Sequence, residues 1–240
     1  MRRKLITRRG LLYAAGLSAP VILPRLAPAQ FGACLPGFCK GVAPPICGAV
    51  SSTDTWNPAD KTAGMILSNG NKTVTSTNGG LGGVRTVGTH TTGKWYFELF
   101  VNTMTGNIFD SDGIGICTGA VPLASIPGNA NSFWIREDGD MFLGPSGLLT
   151  INALAGQTVG FAIDLDAQLL WARSTGFGNS WTAGSYTSDP VTGLNGLDTS
   201  TVFGVGVAVY PCATGDATTT DVIDFNQTLT YAPPTGYCAW

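Results

Sequence analysis

The sequence predicts an all-β fold, an antiparallel β-sandwich of two sheets. Short apolar stretches alternate with a period of two residues, and clusters of Gly, Asn, Asp, Ser, Thr and Pro separate them. Beyond the N-terminal region no segment sustains a 3.6-residue apolar period with caps, so helix content is expected to be small.

The strands are read in chain order. In Gly93–Val101 the alternation puts Trp95, Phe97, Leu99 and Val101 on one face and Tyr96, Glu98 and Phe100 on the other. Gly113–Cys117 is the next short apolar run. In Val159–Asp166, Phe161, Ile163 and Leu165 oppose Ala162, Asp164 and Asp166, which places both carboxylates on the wetter face. Leu169–Trp171 follows, then Phe203–Pro211, and finally Asp224-Phe225 leading to Tyr231–Tyr237.

The first thirty residues have the make-up of an export signal. Arg2, Arg3, Lys4, Arg8 and Arg9 form a basic start, Leu11 to Leu23 an apolar region, and Ala27-Pro28-Ala29 a small-x-small cleavage site before Gln30. Thr7-Arg8-Arg9-Gly10-Leu11-Leu12 resembles the twin-arginine motif of bacterial proteins exported in the folded state, with an ordinary secretory signal as the alternative. The apolar run falls short of the ~20 residues of a membrane span, and Pro20, Pro24 and Arg25 interrupt it. A lipid anchor on Cys34 would lack the usual aliphatic residue three positions earlier. The expected organisation is a signal over 1–29, an extension rich in Cys, Pro and Gly over 30–52, and a sandwich domain over 53–240.

Cleavage after Ala29 removes six of the thirteen basic residues and no acidic ones, leaving seven against fifteen and a net charge of −8. Such acidity disfavours nucleic acid and anionic membrane surfaces, both of which are bound through Lys and Arg. The 33 glycines and 44% hydrophobic residues fit a turn-rich β domain with a substantial core. The six cysteines Cys34, Cys39, Cys47, Cys117, Cys212 and Cys238 allow three disulfides in an exported chain, among fifteen connectivities. Cys117 ends an apolar strand and also suits a buried free thiol. Cys212 and Cys238, each read as lying beside a strand end, are expected to form a long-range staple or to pair with the N-terminal cluster. The C-x4-C and C-x7-C spacings of Cys34, Cys39 and Cys47 match no common zinc pair, and His90 is the one histidine, so no metal site and no cofactor are expected.

The order and wording of the stretches from Trp56 to Trp240 resemble the SPRY domain, a concanavalin-like jelly-roll sandwich. The resemblance rests on Trp56–Lys61 with Leu67–Asn71, on Gly83-Val84-Arg85 before Gly93–Val101, on Phe133-Trp134-Ile135-Arg136-Glu137-Asp138-Gly139, and on Asp189–Gly196. The last of these, with the opening, is similar to the bacterial and phage-associated branch. The resemblance implies a non-catalytic binding module. After Leu169-Leu170-Trp171 the chain departs from the family pattern: Ala172-Arg173-Ser174-Thr175-Gly176 replaces the usual tight hairpin, with Gly176 expected to supply a positive φ.

Catalytic patterns are weak. Glu98 and Glu137, the two glutamates, do not cluster as glycosidase carboxyls require, and Asp164 with Asp166 is better read as turn support. His90 has no nucleophile motif beside it and reads as a surface or capping residue. Asp110-Ser111-Asp112-Gly113 lacks the later ligands of a calcium loop, and the glycines of Asn78–Gly83 lack the Lys-Ser or Lys-Thr of a phosphate loop.

The expected product is therefore a periplasmic or secreted, non-enzymatic module that binds a protein, peptide or glycan through sandwich loops, meeting membrane only during export. The candidate surface is Arg136, Glu137 and Asp138 with Trp181, Tyr186 and Asp189, because aromatic and Arg side chains dominate binding hot spots. A lectin-like carbohydrate binder and a structural cell-surface or phage-derived component are the alternatives.

Overall fold

The computed structural model describes Cys47 and residues 51–77, 81–105, 112–125, 128–183, 187–215 and 220–240. Arg8, Arg9, Cys34, Cys39 and Tyr186 lie outside the described residues, as do Asp110, Ser111 and Asn78.

Alternating apolar residues and turn clusters give β1 (Trp56–Lys61), β2 (Met65–Ser68), β3 (Thr73–Ser76), β4 (Gly82–Thr86), β5 (Lys94–Thr103), β6 (Gly113–Thr118), β7 (Ser132–Arg136), β8 (Asp140–Leu143), β9 (Ser146–Thr150), β10 (Gln157–Asp164), β11 (Leu169–Ser174), β12 (Leu197–Asp198), β13 (Val209–Gly215), β14 (Val222–Phe225) and β15 (Cys238–Ala239). Helical structure among the described residues is confined to two 3-10 turns, Leu123–Ser125 and Thr175–Phe177. A seven-stranded sheet runs β1-β4-β13-β6-β7-β8-β9, and an eight-stranded sheet runs β12-β11-β10-β5-β14-β3-β2, with β15 added beside the start of β5. Every pairing is antiparallel except β15 with β5. This is the two-sheet sandwich the patterning predicts.

The core lies between the sheets. Phe97 stacks on Phe161 at 4.8 Å within the eight-stranded sheet, Phe133 meets Phe161 edge-on at 6.2 Å from the other, and Trp56 of β1 does the same to Phe225 of β14 at 5.8 Å. Gly115 has a packing reason: a Cβ there would run into the backbone carbonyl of Phe133 on the adjacent strand.

Several expectations need correction. Phe203–Pro211 is not one strand: residues 203–208 form a loop, Gly206 has φ +75°, and pairing starts at Val209. Val205 is consequently 76% exposed. Tyr231–Tyr237 forms no strand and instead covers the eight-stranded sheet. The tight turn lies before β11, where Gln168 has φ 55°, and β11 continues to Ser174; Gly178, not Gly176, takes the left-handed conformation after it. Asp166 does not share a strand face with Asp164, because β10 ends at Asp164. Asp164 instead supports the turn, its Oδ1 accepting the N–H groups of Asp166 and Ala167, and its Oδ2 pairs with Lys94 at 2.9 Å.

The cysteines divide differently from either expected pairing for Cys212. Cys238 bonds to Cys47 of the N-terminal cluster, 191 residues away. Around it Ser52 Oγ donates to the Trp240 carbonyl at 2.5 Å and Ser52 N–H to Gln227 O at 2.8 Å, so the end of the extension clamps the C-terminal segment. Cys212 sits inside β13 rather than at its end, and it and Cys117 are free, buried thiols.

Candidate functional site: an arginine held among aromatic rings

β5, β10 and β11 lie side by side, and their register sets Glu98, Gly160 and Arg173 in one row. Phe97 and Phe161, the sequence neighbours of Glu98 and Gly160, stack within the core, so by the pleat this row faces away from it. Gly160 leaves a gap in the middle: a Cβ there would come within 2.5 Å of the Tyr96 hydroxyl. That hydroxyl fills the gap. It donates to Glu98 Oε1 at 2.5 Å and accepts from Arg173 Nη2 at 2.6 Å. The direct Arg173–Glu98 separation is 4.0 Å, so the phenol is the closer link between the two charges.

The face that carries Tyr96 and Glu98 is not wet. Glu98 is fully buried, because its carboxylate collects the C-terminal segment: the Thr230 N–H donates to Oε2 at 2.6 Å, the Tyr231 N–H to Oε1 at 3.0 Å, and Asn226 Nδ2 to Oε2 at 3.4 Å. Hydrogen bonds to an ionised acceptor are the strong kind, and together they offset the desolvation of the charge. Burial, reinforced by Glu98, pushes the Tyr96 hydroxyl well above the usual phenol range against the opposing pull of Arg173. Tyr96 is therefore a permanent donor to Glu98.

Arg173 lies 4.5 Å from the ring centroids of both Trp181 and Tyr231, and 5.0 Å from that of Tyr96. The loop that brings Trp181 there is specified locally. Ser174 Oγ accepts from the Gly176 N–H and caps the 3-10 turn, Gly178 and Asn179 adopt left-handed φ of 62° and 60°, and the returning chain exchanges two 2.8 Å backbone bonds between Ala172 and Thr182. Trp181 meets Tyr96 edge-on at 6.1 Å. Trp181 and Tyr231 are half-buried, so the rim of the cluster reaches solvent while the Glu98 carboxylate does not.

The structure does not bring the sequence-predicted site residues together. Arg136, Glu137 and Asp138 sit at the β7–β8 turn of the seven-stranded sheet, at the end marked by Gly113. There Arg136 pairs with Asp138 and, at 2.8 Å, with Asp140; its hydrogen bond holds the Asp138 carboxyl below the usual range, with partial burial opposing. Glu137 is buried. Asp189 belongs to the opposite end, where Tyr237 reaches Pro190 O at 3.3 Å and Trp171 Nε1 donates to Leu194 O at 3.1 Å. Its carboxylate serves its own loop, accepting from Val191 N–H at 2.9 Å and Thr192 Oγ1 at 2.8 Å. Of the five described residues of that set, Trp181 alone joins the cluster. Sequence reasoning missed Arg173, Tyr96, Glu98 and Tyr231; the one signal was the departure from the family pattern after Trp171.

His90 is half-buried rather than freely exposed. It stacks on Trp95 at 3.4 Å and meets Trp240 edge-on at 4.5 Å. Among the described residues no group of three or more His, Cys, Asp or Glu could hold a metal ion.

The chain is similar to the SPRY domain of human HERC1 with a TM-score of 0.54 and 13% identity, covering 73% of this chain and 99% of that one. The fold is that of a SPRY domain. The TRIM65 PSpry domain matches with a TM-score of 0.51 and 14% identity over 72% of this chain and 90% of that one. A stonustoxin structure matches at 0.50 and 17% identity over 72% of this chain and 26% of that much longer one. No protein-family model and no curated protein matches the sequence. The likeness is thus one of SPRY architecture carried by a very different sequence.

Proposed function

We propose that the chain is a non-catalytic binding module of an exported bacterial protein, recognising a protein, peptide or glycan through the loops that frame the outer face of the eight-stranded sheet. The observation that carries this reading is the Trp181–Arg173–Tyr231 rim: two half-buried aromatic rings set around an arginine that is tied through Tyr96 to the buried Glu98 carboxylate. Rigid aromatic side chains beside an arginine are the composition of binding hot spots, since they offer contact area with little conformational entropy to lose. The SPRY-like fold supports it by supplying a rigid sandwich with long connections. Export, by the twin-arginine-like start and the small-x-small site before Gln30, puts the module in the periplasm or outside the cell.

The test uses the oxidised mature protein, residues 30–240, on peptide and glycan arrays, with Trp181→Ala and Tyr231→Ala beside wild type and circular dichroism to verify folding. Binding of one ligand class by wild type, lost in both folded variants, supports the reading. Binding indifferent to both substitutions moves the site elsewhere on the sandwich. Absence of any binding, with self-association in sedimentation, favours a structural component.

A further inference from the structure

The two sheets end in the strands β1, β9, β12 and β2. A strand at the end of a sheet has backbone groups with no ladder partner, and proteins shield such edges with Pro, charge, brevity or cover. β1 carries Pro58, Asp60 and Lys61, β12 is two residues long and includes Asp198, and β2 lies against β1 and β4 of the other sheet. β9 has no such shield. Ser146-Gly147-Leu148-Leu149-Thr150 holds no charge and no Pro, and among the described residues no strand pairs with its outer edge.

Beside this edge lies a recess of 200 Å³, between Asp140 to Phe142 of β8 and Gly147 to Thr150 of β9. Two features of the sequence open it. Asp140 pairs with Thr150 and Phe142 with Gly147, so Leu148 and Leu149 together stand opposite Met141 alone, a bulge of the kind that re-aims side chains beside binding sites. Gly147 has no side chain where a Cβ would rest on the Phe142 ring at 3.6 Å, and that ring is half-buried. The corner next to the recess is acidic. Asp140 accepts from Thr150 Oγ1 and, through its N–H, donates to Asp138 Oδ1 at 2.9 Å; the Asp138 side chain is 47% exposed. Both carboxylates pair with the one guanidinium of Arg136, which leaves the corner net negative.

We propose that β9 is a strand-addition site for an extended peptide of a partner protein, with one apolar side chain in the recess beside Gly147 and Phe142 and a basic residue toward Asp138 and Asp140.

Strand addition divides recognition into two parts. The peptide main chain continues the ladder past β9 and supplies affinity that is indifferent to sequence, while the recess selects a side chain. Charge decides between occupants. A second copy of this chain would bring its own acidic corner and a net charge of the same sign, whereas a peptide carrying Lys or Arg is attracted to the corner. The site belongs to the seven-stranded sheet and the Trp181–Arg173–Tyr231 rim to loops of the eight-stranded one, so the two proposals stand or fall separately.

The experiment follows fluorescence anisotropy of labelled seven-residue peptides on the folded chain. Each peptide has a threonine frame, a central Ala, Val, Leu or Phe, and a terminal Lys or Glu. The Lys series should bind saturably with a preference among the central residues, and Glu in place of Lys should weaken binding about tenfold. N-methylation of alternate peptide amides should abolish it, and the bound peptide should slow hydrogen exchange within 146–150. Gly147→Val fills the recess and Leu149→Lys guards the edge; each should weaken binding about tenfold or more while circular dichroism stays that of wild type. Should Gly147→Val not fold, Leu149→Lys and the exchange map still decide. No saturable binding by either series, or binding unchanged in both variants, overturns the proposal. So does binding that Trp181→Ala removes and Gly147→Val spares, which would put the peptide on the rim. Self-association that Leu149→Lys abolishes, with no peptide bound, would make β9 a contact between copies and overturn it equally.

Discussion

Glu98 and Arg173 face one another across Gly160, and the hydroxyl of Tyr96 joins them in the space that the missing side chain leaves. One glycine, one tyrosine and two opposite charges therefore form a unit whose parts cannot be changed singly. Gly160→Ala should force the Tyr96 hydroxyl out of line and destabilise by about 1–3 kcal/mol, as overpacking does. Glu98→Gln should cost more, about 3–5 kcal/mol, because it leaves Arg173 without its buried counter-charge and turns an acceptor away from the Thr230 and Tyr231 N–H groups. Urea unfolding of the two variants measures both, and a cost below ~1 kcal/mol for Glu98→Gln would mean the network is not stabilising.

The sandwich was legible because period-2 patterns are local. Gly93–Val101 and Val159–Asp166 became β5 and β10 with their core faces as read. Phe203–Pro211 misled for the same reason: valines two apart imitate a strand, and only the positive φ at Gly206 shows that the first half is a loop. The candidate site was mostly illegible. Glu98 meets its backbone donors 132 and 133 residues away, and nothing local in Thr230 or Tyr231 announces that they will cover a carboxylate. Arg173 showed itself only as an odd residue where a hairpin tip was expected, and Cys212 could not be told from a staple until its place inside β13 was known.

His90 is the one histidine, so its titration can be followed without ambiguity. Burial between Trp95 and Trp240 lowers its pKa from 6.5 to about 4. Between pH 6.5 and 4 the unfolded chain binds a proton that the folded chain refuses, so stability must fall as pH drops through that window. The slope should stay below the ~1.4 kcal/mol per pH unit of one full proton, since the ring is partly solvated. Asp54 works in the opposite direction: burial raises its carboxyl above 3.8, so the folded state takes up that proton first and gains on acidification. His90→Phe keeps the stack and removes only the first effect. Its unfolding free energy should be flatter than wild type from pH 6.5 to 4, and an NMR titration of wild-type His90 near 6.5 would refute the assignment.

Val205 projects from the 203–208 loop with 76% of its surface exposed, and Val207 follows at 40%. Neither is needed by the core. Val205→Ser should change stability by no more than about 0.5 kcal/mol, as substitutions away from buried features do. If the loop belongs to a contact surface, the same variant should lower binding or self-association at unchanged melting temperature, which differential scanning fluorimetry and sedimentation together resolve.

The Cys47–Cys238 bond closes a loop spanning 191 residues around the whole sandwich. A chain-entropy estimate for so long a loop is about 5 kcal/mol, and measured losses for native disulfides are commonly about 2–5 kcal/mol. The local structure argues for a large share of it, because Ser51 pairs with Thr228 and Ser52 holds the Gln227 and Trp240 carbonyls, contacts that need the two segments kept together. Cys47→Ser should therefore lower stability by about 2–5 kcal/mol. It should also speed hydrogen exchange first in residues 226–240, and through Thr230 and Tyr231 loosen the Glu98 carboxylate beneath them. Exchange that rises evenly over both sheets instead would show that the bond acts only on the unfolded chain and clamps nothing.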